Sequence, residues 1–300
     1  MKVLVIGANG QLGSDLLRLQ RKRPDEIEMV PLSRKELDVS IANTIGTAVS
    51  DYHFDVIINC TGYNKVDEAE NHATEAFAIN AHAPQRMAAV CKAHGAMFVH
   101  FSTDYVFDGR SQKPYVETDA PSPVNVYGAS KLLGESLVLR EYAEGSLIAR
   151  VASLFGVAGS SGKGGNFVET MLRLAREKGE VRVVNDLRMS PTSTMDVAKA
   201  LLSLIHQRAA PGIYHIVNSG DATWFEFAQE IIHQAGIAAR VVPITSQEYP
   251  ALAARPAYSV LNNQKVAKLI GLIPHWREAL NRYLVEKGHI RQGASSASKG

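Results

Sequence analysis

A tyrosine and a lysine separated by three residues form a pair that could deliver a proton. The segment reads Tyr127-Gly128-Ala129-Ser130-Lys131, and residues four apart share one face of a helix, so both side chains can meet one substrate. A ketone that receives a hydride also needs a proton on its oxygen, and a free phenol with a pKa of about 10 donates that proton slowly at neutral pH. We expect the neighbouring cation to lower the phenol pKa and to make Tyr127 an effective acid.

Two hydroxyl groups that could assist this pair follow an apolar run. The run ends in Ser102-Thr103-Asp104-Tyr105, and a parallel strand that ends there would present its hydroxyls at the edge of the sheet where ligands gather. A hydroxyl at this edge can hydrogen-bond the substrate oxygen beside Tyr127. We favour Thr103 as the third catalytic residue, although spacing alone does not separate it from Ser102, and both could instead cap the end of the strand.

A glycine-rich segment near the N-terminus has the context of a dinucleotide-binding loop. Gly7-Ala8-Asn9-Gly10-Gln11-Leu12-Gly13 follows a predicted strand and opens a predicted helix, although its spacing is G-x-x-G-x-x-G and not G-x-G-x-x-G. Glycines there permit a tight turn and close approach of a pyrophosphate to the N–H groups that begin the helix. The residues expected to bind the dinucleotide are Gly7, Asn9, Gly10, Gln11, Leu12 and Gly13.

The end of the second predicted strand bears on which dinucleotide binds. An acidic residue there would accept hydrogen bonds from a ribose 2′-hydroxyl, but the sequence has Ser33 and Arg34. A hydroxyl and a guanidinium suit a 2′-phosphate, which favours NADPH and leaves NADH as an alternative coenzyme. Arg34 could equally be a solvated loop cation. Asp38 and Val39 are expected to flank the adenine.

Alternating strands and helices would position these residues. Strands are predicted at residues 2–7, 28–32, 55–60, 97–102, 147–151, 181–184 and 213–217, and helices at 11–22, 66–94, 125–142, 167–177 and 194–206. Such alternation is typical of parallel sheets with helices on both faces. We therefore predict an α/β fold, a Rossmann-type doubly wound parallel sheet with a smaller C-terminal substrate-binding region.

The pattern also suggests how the chain is divided. Residues 1–150 are predicted to be the NADP-binding Rossmann domain, and residues 151–192 a substrate-binding loop, helix and strand, with the loop at 156–165. Residues 193–218 are predicted to return to the Rossmann domain, and 219–292 to belong mainly to the substrate-binding region. Residues 293–300 are small and polar and are predicted to be a disordered tail.

Composition narrows the class of protein. The 32 basic side chains nearly cancel the 30 acidic ones, so the charge of +2 gives no argument for binding nucleic acid or a membrane. A strand at the N-terminus leaves no room for a secretory leader, and Cys60 and Cys91 lie in apolar runs as reduced thiols. We expect a cytoplasmic enzyme. The ten histidines show no metal-ligand spacing, so no metal site is predicted.

Short motifs spread over nearly the whole chain form one recognisable set. They lie at residues 7–13, 59–63, 66–70, 80, 102–107, 115–119, 123–131, 166–167, 171–172, 185–186, 191–192 and 255–256. Together they resemble the extended short-chain dehydrogenases and, within them, the dTDP-4-dehydrorhamnose reductases. The stretch from Ser102 to Lys131 is the most specific part of the resemblance.

The resemblance implies a reaction and a set of residues. The reaction would be NADPH-dependent reduction of the C4 keto group of a nucleotide-linked 6-deoxy-4-keto sugar, in the biosynthesis of dTDP-L-rhamnose or a related deoxysugar for polysaccharides. Thr103, Tyr127 and Lys131 would be catalytic, with Lys131 holding the nicotinamide ribose beside Tyr127. The cofactor side would also include Asn59, Cys60, Thr61, Gly62, Tyr63, Asn80 and Ser102. The substrate side would include Asp104, Ser153, Asn166 and Arg255.

Two departures from the family pattern lie where the sugar is expected. The family often has Arg-Thr-Ser-Trp where this chain has Arg150-Val151-Ala152-Ser153, and Asn-Asp-Gln where it has Asn185-Asp186-Leu187. The sugar and the product stereochemistry therefore stay open. Arg255 could pair with the substrate diphosphate or form an ordinary surface salt bridge.

Two other functions remain alternatives at this point. One is a non-catalytic NADP-binding subunit that regulates a partner enzyme, since a regulatory subunit of methionine adenosyltransferase looks similar across the same region. The other is a sugar-nucleotide epimerase or dehydratase, which the acidic Asp104 beside the strand-end hydroxyl keeps open. The full set of Thr103, Tyr127 and Lys131 argues against a purely regulatory role. A homodimer is compatible with the sequence.

Overall fold

Short strands make up the framework of the molecule. This computed structural model describes residues 1–22, 27–42, 44–49, 52–159 and 165–291. The strands are β1 (Lys2–Ile6), β2 (Glu28–Leu32), β3 (Val56–Asn59), β4 (Met97–Thr103), β5 (Ser146–Val151), β6 (Leu154–Phe155), β7 (Glu180–Val184), β8 (Arg188–Met189), β9 (Thr192–Ser193), β10 (Gly212–His215), β11 (Ala222–Thr223) and β12 (Arg240–Ile244).

Helices connect these strands and cover them. The α-helices are α1 (Gln11–Gln20), α2 (Thr44–Val49), α3 (Val66–Asn71), α4 (Ala73–Phe77), α5 (Ala83–His94), α6 (Val126–Tyr142), α7 (Phe167–Lys178), α8 (Thr194–His206), α9 (Trp224–Gln234), α10 (Gln264–Ile270) and α11 (Trp276–Glu286). A π-helical turn spans Ala78–His82, and 3₁₀ turns span Asp104–Val106, Ala143–Gly145 and Ser246–Glu248.

Six strands form one parallel sheet in the order β10-β5-β4-β3-β1-β2. The chain runs outward from β1 to β2 and then crosses back to β3 on the other side of β1. Ligands of such sheets bind beyond the carboxyl ends of the strands, at the point where the strand order reverses. That point lies between β1 and β3, next to the glycine-rich loop.

Both faces of this sheet are buried under helices. Val3 and Val5 of β1 pack with residues of α1 and α8, whereas Leu4 and Ile6 point to the opposite face and pack with residues of α5 and α6. Alternate side chains of a strand point to opposite faces, so a strand that is covered on both sides must be apolar at nearly every position. This explains the uninterrupted apolar runs of the predicted strands.

A second apolar core lies in the later part of the chain. It joins α7, α9 and α11 to β7, and its largest members include Phe155, Phe227 and Trp276. Between its segments, α8 packs in the core of α1 and β10 pairs with β5. The domain boundaries drawn from the sequence at 150, 192 and 218 stay predictions.

The predicted strands and most predicted helices are found with ends that differ by no more than two residues. The prediction of one long helix over 66–94 is wrong. It is divided into α3, α4, the π turn and α5. The π turn lies just before Pro84, which has no N–H to donate to the carbonyl of Asn80 in a regular helix, and the break between α3 and α4 lies at His72. Helix α2 and strand β12 were not predicted at all.

Two predicted segments cannot be compared fully. The predicted tail at 293–300 lies outside the described residues, as do residues 160–164 of the predicted loop at 156–165. Within the described ranges, no helix has the length and apolar character needed to cross a membrane. The same ranges contain no group of three or more His, Cys, Asp or Glu side chains placed to hold a metal ion.

Candidate active site

The glycine-rich loop leaves the start of α1 open to a ligand. Gly7 has a φ of +78°, a left-handed conformation that favours glycine, and a Cβ at Gly13 would lie 2.7 Å from the Gly7 carbonyl oxygen. No side chain caps α1, and its first turn carries no acidic residue. The first N–H groups of the helix are therefore available to an anion, so the residues present fit a dinucleotide pyrophosphate.

The loops after β3 and before α5 are fixed by two asparagines. The side-chain oxygen of Asn59 accepts hydrogen bonds from the N–H and hydroxyl of Thr61, at 3.0 and 2.6 Å. The side chain of Asn80 accepts from the Tyr63 N–H at 2.8 Å and donates to the Tyr63 carbonyl at 3.0 Å. Residues 60–63 therefore lie beside the glycine-rich loop, where a Cβ at Gly7 would touch Thr61.

The loop after β2 is arranged differently from the expectation. The N–H of Ser33 donates to the Glu36 carboxylate at 2.8 Å, and the Ser33 hydroxyl donates to the same oxygen. Arg34 donates to Asp38 at 3.1 Å, with its side chain 78% exposed, and Val39 is buried in the adjacent core. Glu36 was overlooked in the sequence, although S-x-x-E is a recognised reciprocal hydrogen-bonding pattern.

The proposed catalytic residues meet at the carboxyl end of β4. Thr103 is the last residue of β4, and the beginning of α6 is fixed because the Asn125 side chain accepts a 2.7 Å hydrogen bond from the Gly128 N–H. The ring of Tyr127 lies edge-on to that of Tyr105, with 5.9 Å between centroids. A Cβ at Gly128 would collide with the Tyr105 carbonyl, so glycine allows this close approach.

Burial dominates the acid–base properties of the pair on α6. It raises the pKa of Tyr127 to about 12, with a hydrogen bond to Thr103 opposing the rise. It lowers the pKa of Lys131 to about 8, with Glu135 opposing the fall. The expected lowering of the phenol pKa by the cation is not found in the protein alone. The Lys131 ammonium instead donates to the Phe101 carbonyl at 2.5 Å.

A neutral histidine lies under the site. His100 is fully buried, and burial, with the Lys131 charge, holds its pKa well below the usual value. Its Nδ1 lies 3.2 Å from the Asn59 amide nitrogen. The Ser102 hydroxyl is buried and has no hydrogen-bond partner among the described residues. Of the two hydroxyls, Thr103 is thus the one that acts on the phenol of Tyr127, whose pKa it lowers.

A cavity of about 900 Å³ opens at this edge of the sheet. Its wall includes Gln11 from the start of α1, the strand-end residues Ser102, Thr103 and Asp104, and Tyr127 from α6. On the far side it is lined by Ser153, Asn166, Phe167, Leu187, Trp224 and Arg255. One cavity therefore joins the start of α1, the predicted catalytic residues Thr103 and Tyr127, and the later part of the chain.

The predicted substrate-side residues differ in whether their polar atoms are already hydrogen-bonded within the protein. Ser153 lines the cavity with a φ of +42°, a conformation that non-glycine residues seldom adopt. The amide of Asn166 caps α7 through the Glu169 N–H and donates to the Gly156 carbonyl and the Tyr283 hydroxyl. Both polar atoms of Asn166 are therefore occupied within the protein.

Arg255 forms a paired contact within the protein. Its two terminal nitrogens donate to the two carboxylate oxygens of Asp67, at 2.9 and 2.7 Å, and this contact helps hold the pKa of Asp67 at about 2. Arg255 still lines the cavity and is 19% exposed. The partner Asp67, on α3, could not be identified from the sequence because it lies 188 positions away.

A buried ion pair behind the site was also missed. Glu135 and Arg150 are each 2% exposed, and Arg150 donates to both carboxylate oxygens at 2.8 and 2.6 Å. Glu135 lies one helical turn after Lys131 on α6, and Arg150 pairs in register with Ser102 across β4 and β5. The sequence carried one signal for this pair. Glu135 and Arg150 are charged residues within predicted buried elements, and buried charges are found paired.

These features define the class of protein. A doubly wound parallel sheet, an open glycine-rich helix start and the convergence of Thr103, Tyr127 and Lys131 at the carboxyl edge define an extended short-chain dehydrogenase/reductase. More narrowly, the chain belongs to the family described as the RmlD substrate binding domain, whose model matches residues 1–288.

Comparisons with known proteins agree with this membership. The chain is 40% identical to the spore coat polysaccharide biosynthesis protein SpsK of Bacillus subtilis, over 95% of this chain and 98% of that protein. It is 40% identical to a dTDP-4-dehydrorhamnose reductase of Burkholderia thailandensis, over 93% and 97%. The crystal structure of a Bacillus anthracis dTDP-4-dehydrorhamnose reductase in complex with NADP is similar, with a TM-score of 0.88, 37% identity and 95% and 99% coverage.

Proposed function

We propose that the protein reduces the C4 keto group of a dTDP-linked 6-deoxy-4-keto sugar, using NADPH. The observation that carries this proposal is the single cavity in which Thr103 and Tyr127 stand between the start of α1 and the later part of the chain. The relatives named dTDP-4-dehydrorhamnose reductase support the substrate class, and the NADP complex of one of them supports the coenzyme.

The cofactor would be held by groups that the protein already presents. The unblocked start of α1 would receive the pyrophosphate, and the segment of Cys60, Thr61, Gly62 and Tyr63 would contact the dinucleotide on the β3 side. Lys131 and Asn80 would hold the nicotinamide ribose, and Ser33, Arg34, Asp38 and Val39 would bind the adenosine. When bound, NADPH supplies the hydride for the ketone carbon.

The chain's own residues supply the proton. Tyr127 donates its phenolic proton to the ketone oxygen, and the Thr103 hydroxyl orients that oxygen. The Lys131 ammonium stabilises the phenolate that remains, because a nearby cation favours the charged form of a phenol. Burial raises the pKa of the free phenol to about 12, so Tyr127 is fully protonated at neutral pH when the substrate arrives.

The sugar nucleotide would occupy the part of the cavity beyond Thr103. Asp104, Ser153, Asn166 and Arg255 all belong to the wall of this cavity, and Asp104 directly follows Thr103. Leu187 and Ser153 stand where the family often has polar and aromatic side chains. These two positions therefore determine which keto sugar fits.

The location and the assembly of the protein are part of the same proposal. Cys60 and Cys91 are free thiols, as is usual for proteins of a reducing compartment, and this supports a cytoplasmic enzyme. A homodimer stays a prediction. The regulatory alternative is less well supported, since a protein that only binds NADP has no need of Thr103, Tyr127 and Lys131 together.

The test is NADPH oxidation, followed at the nicotinamide absorbance band with dTDP-4-dehydrorhamnose as substrate and NADH in parallel. Turnover that consumes NADPH and yields one reduced sugar nucleotide per NADPH supports the proposal. A protein that binds NADPH but does not oxidise it with this substrate, or with the other 4-keto epimer, would favour the regulatory function.

A further inference from the structure

Asp104 is an acidic side chain that the mechanism above does not use. It follows Thr103 directly, begins the 3₁₀ turn after β4 and is 2% exposed. One carboxylate oxygen accepts a 3.0 Å hydrogen bond from the Thr103 hydroxyl. The other oxygen is buried, has no hydrogen-bond partner among the described residues and belongs to a residue of the cavity wall.

The Thr103 hydroxyl connects Asp104 to the proton donor. Its oxygen accepts a hydrogen bond from the Tyr105 N–H at 3.2 Å, and the Thr103 side chain lies near enough to Tyr127 to lower the pKa of the phenol. A hydroxyl carries one proton and can donate only one hydrogen bond. While Asp104 is a carboxylate, the Thr103 proton is directed to Asp104 and not to Tyr127 or to a ketone oxygen.

Asp104 can change its protonation state near neutral pH. Burial raises its pKa to about 6, while the hydrogen bond from the Thr103 hydroxyl opposes the rise. The titratable groups around it are Tyr105 beside it, Tyr127 on α6, and the Arg255–Asp67 pair, whose opposite charges compensate. No unpaired cation among the described residues contacts the carboxylate to hold it ionised.

We propose that Asp104 is a positioning residue that sets the direction of the hydrogen-bond chain Asp104–Thr103–Tyr127 and returns a proton along it after each turnover. This inference rests on the proposed ketone reduction. When Asp104 is protonated, it donates to the Thr103 oxygen, and the Thr103 proton is free to point to Tyr127 or to the ketone oxygen. The form of the enzyme that is active in reduction is therefore the protonated one.

The protons balance over one cycle. Tyr127 gives its proton to the ketone oxygen as the hydride reaches the carbon, and the phenolate then takes the Thr103 proton. Thr103 takes the proton of Asp104 in the same movement. The Asp104 carboxylate is reprotonated from solvent through its second oxygen, which belongs to the cavity wall. The sum is one NADPH and one solvent proton consumed for each ketone reduced.

The first test is the pH dependence of kcat with saturating NADPH and keto sugar, from about pH 5 to about pH 8. The wild-type kcat should fall by about tenfold per pH unit above the pKa of Asp104 in the complex. Asp104→Asn, whose amide donates to Thr103 at every pH, should have a lower maximum but vary less than about twofold over the same range. Asp55→Asn, at the other end of the sheet, is the matched control and should keep the wild-type profile.

An increase of activity with pH, instead of the expected decrease, would overturn the proposal. If Asp104 acts as a carboxylate that accepts a hydrogen bond from the sugar, kcat/KM should rise with pH through the same window. Asp104→Asn would then raise KM and leave the pH dependence of kcat unchanged. Loss of the falling limb in Asp104→Asn, with KM changed less than kcat, is the result expected here.

A second measurement does not depend on turnover. Infrared difference spectra between low and neutral pH, with and without NADPH, should show the band of a protonated buried carboxyl that is absent in Asp104→Asn. The band should shift in Thr103→Val, because the hydrogen bond to Asp104 is lost. A carboxyl that stays ionised throughout, or a band unaffected by Thr103→Val, would overturn the inference even if the protein reduces no sugar. Absence of turnover with the expected band would instead count against the proposed function alone.

Discussion

Burial, and not a nearby charge, dominates the pKa of the Tyr127 phenol. The Lys131 ammonium is four residues away on the same helix, yet it donates to the Phe101 carbonyl, and the pKa of Tyr127 is raised to about 12. A weak, fully protonated acid suits a reductase, because the proton is kept until a ketone oxygen becomes strongly basic during hydride transfer. The cost is that the phenolate must be stabilised and reprotonated by neighbouring groups.

Removal of the Tyr127 hydroxyl should lower the rate of reduction without weakening NADPH binding. Tyr127→Phe keeps the ring and its contact with Tyr105, so NADPH affinity should change by less than about twofold, while kcat falls by about 10²–10⁴-fold. NADPH oxidation and fluorescence titration with NADPH measure the two quantities. Loss of NADPH binding in a folded variant would contradict the assigned role of Tyr127.

Coenzyme preference should depend on Glu36 as well as on Arg34. The Glu36 carboxylate accepts both hydrogen bonds that Ser33 can donate there, and a carboxylate repels a 2′-phosphate. Glu36→Gln should therefore tighten NADPH binding by about threefold to tenfold and change NADH binding less, whereas Arg34→Ala should weaken NADPH binding by about tenfold.

Calorimetric titration with both coenzymes measures this preference. Glu28→Gln, at the far end of β2, is the matched control and should leave both affinities unchanged. Equal effects of Glu36→Gln on NADPH and NADH would show that Glu36 does not face the 2′-position.

At the scale of elements, α6 is fixed to the sheet and to the neighbouring helices by several polar contacts. The π turn leaves the Asn80 carbonyl facing Gly134, where a Cβ would collide with it, and the Asn80 amide donates to Ser130 at 2.9 Å. On the other side, Glu135 binds Arg150 of β5. Since Tyr127 and Lys131 lie on this helix, these contacts determine where the proton donor stands.

The buried Glu135–Arg150 pair should contribute measurably to stability. Glu135→Gln leaves the Arg150 charge buried without its partner, and the free energy of unfolding should fall by about 3–5 kcal/mol. The double variant Glu135→Leu with Arg150→Met removes both charges and should be more stable than Glu135→Gln. Urea denaturation followed by circular dichroism gives these differences.

An exposed ion pair provides the comparison for the loss of stability at the buried pair. Glu177 and Arg173 on α7 are both more than half exposed, and Glu177→Gln should cost only about 0–1 kcal/mol. A double variant at Glu135 and Arg150 that is as unstable as the single one would show that the two charges do not act as a pair.

At the scale of the whole molecule, the cavity exists because distant parts of the chain are tied together. Asp67 of α3 holds Arg255 and also accepts a 2.9 Å hydrogen bond from the Ala253 N–H. The Asn125 amide before α6 donates to the Ala254 carbonyl at 2.8 Å. The segment from Ala253 to Arg255 is thereby fixed to α3 and to the start of α6, and its Arg255 side chain lines the cavity.

Loss of the contact between Asp67 and Arg255 should weaken binding of the sugar nucleotide but not of the coenzyme. Asp67→Asn removes the ion pair, and the KM for the keto sugar should rise by about tenfold with little change in NADPH affinity. Steady-state kinetics and NADPH titration measure both. Glu177→Gln, which loses an exposed contact with Arg173 away from the cavity, is the matched control. An unchanged KM in Asp67→Asn would show that the segment reaches its position without Asp67.

Much of the framework could be predicted from local patterns. The apolar runs of β1, β3 and β4 and the glycines at 7, 10 and 13 are each properties of a few neighbouring residues, since burial on two faces and a tight turn impose strict local requirements. The division of the predicted helix over 66–94 was missed although Pro84 lies within it, whereas the packing of Asn80 against Gly134 joins residues that lie far apart in sequence.

The sequence by itself determined the type of fold and the family, and it supplied the prediction of Tyr127 and Lys131 as a catalytic pair, because these depend on residue types at short spacing. Only the tertiary structure decided that Lys131 donates to Phe101, that Arg255 pairs with Asp67, and that the Thr103 proton is directed to Asp104. The physical reason is that hydrogen-bond partners and the pKa values of buried groups depend on which surfaces exclude water. That is a property of packing between distant segments and is not readable from the spacing of residues along the chain.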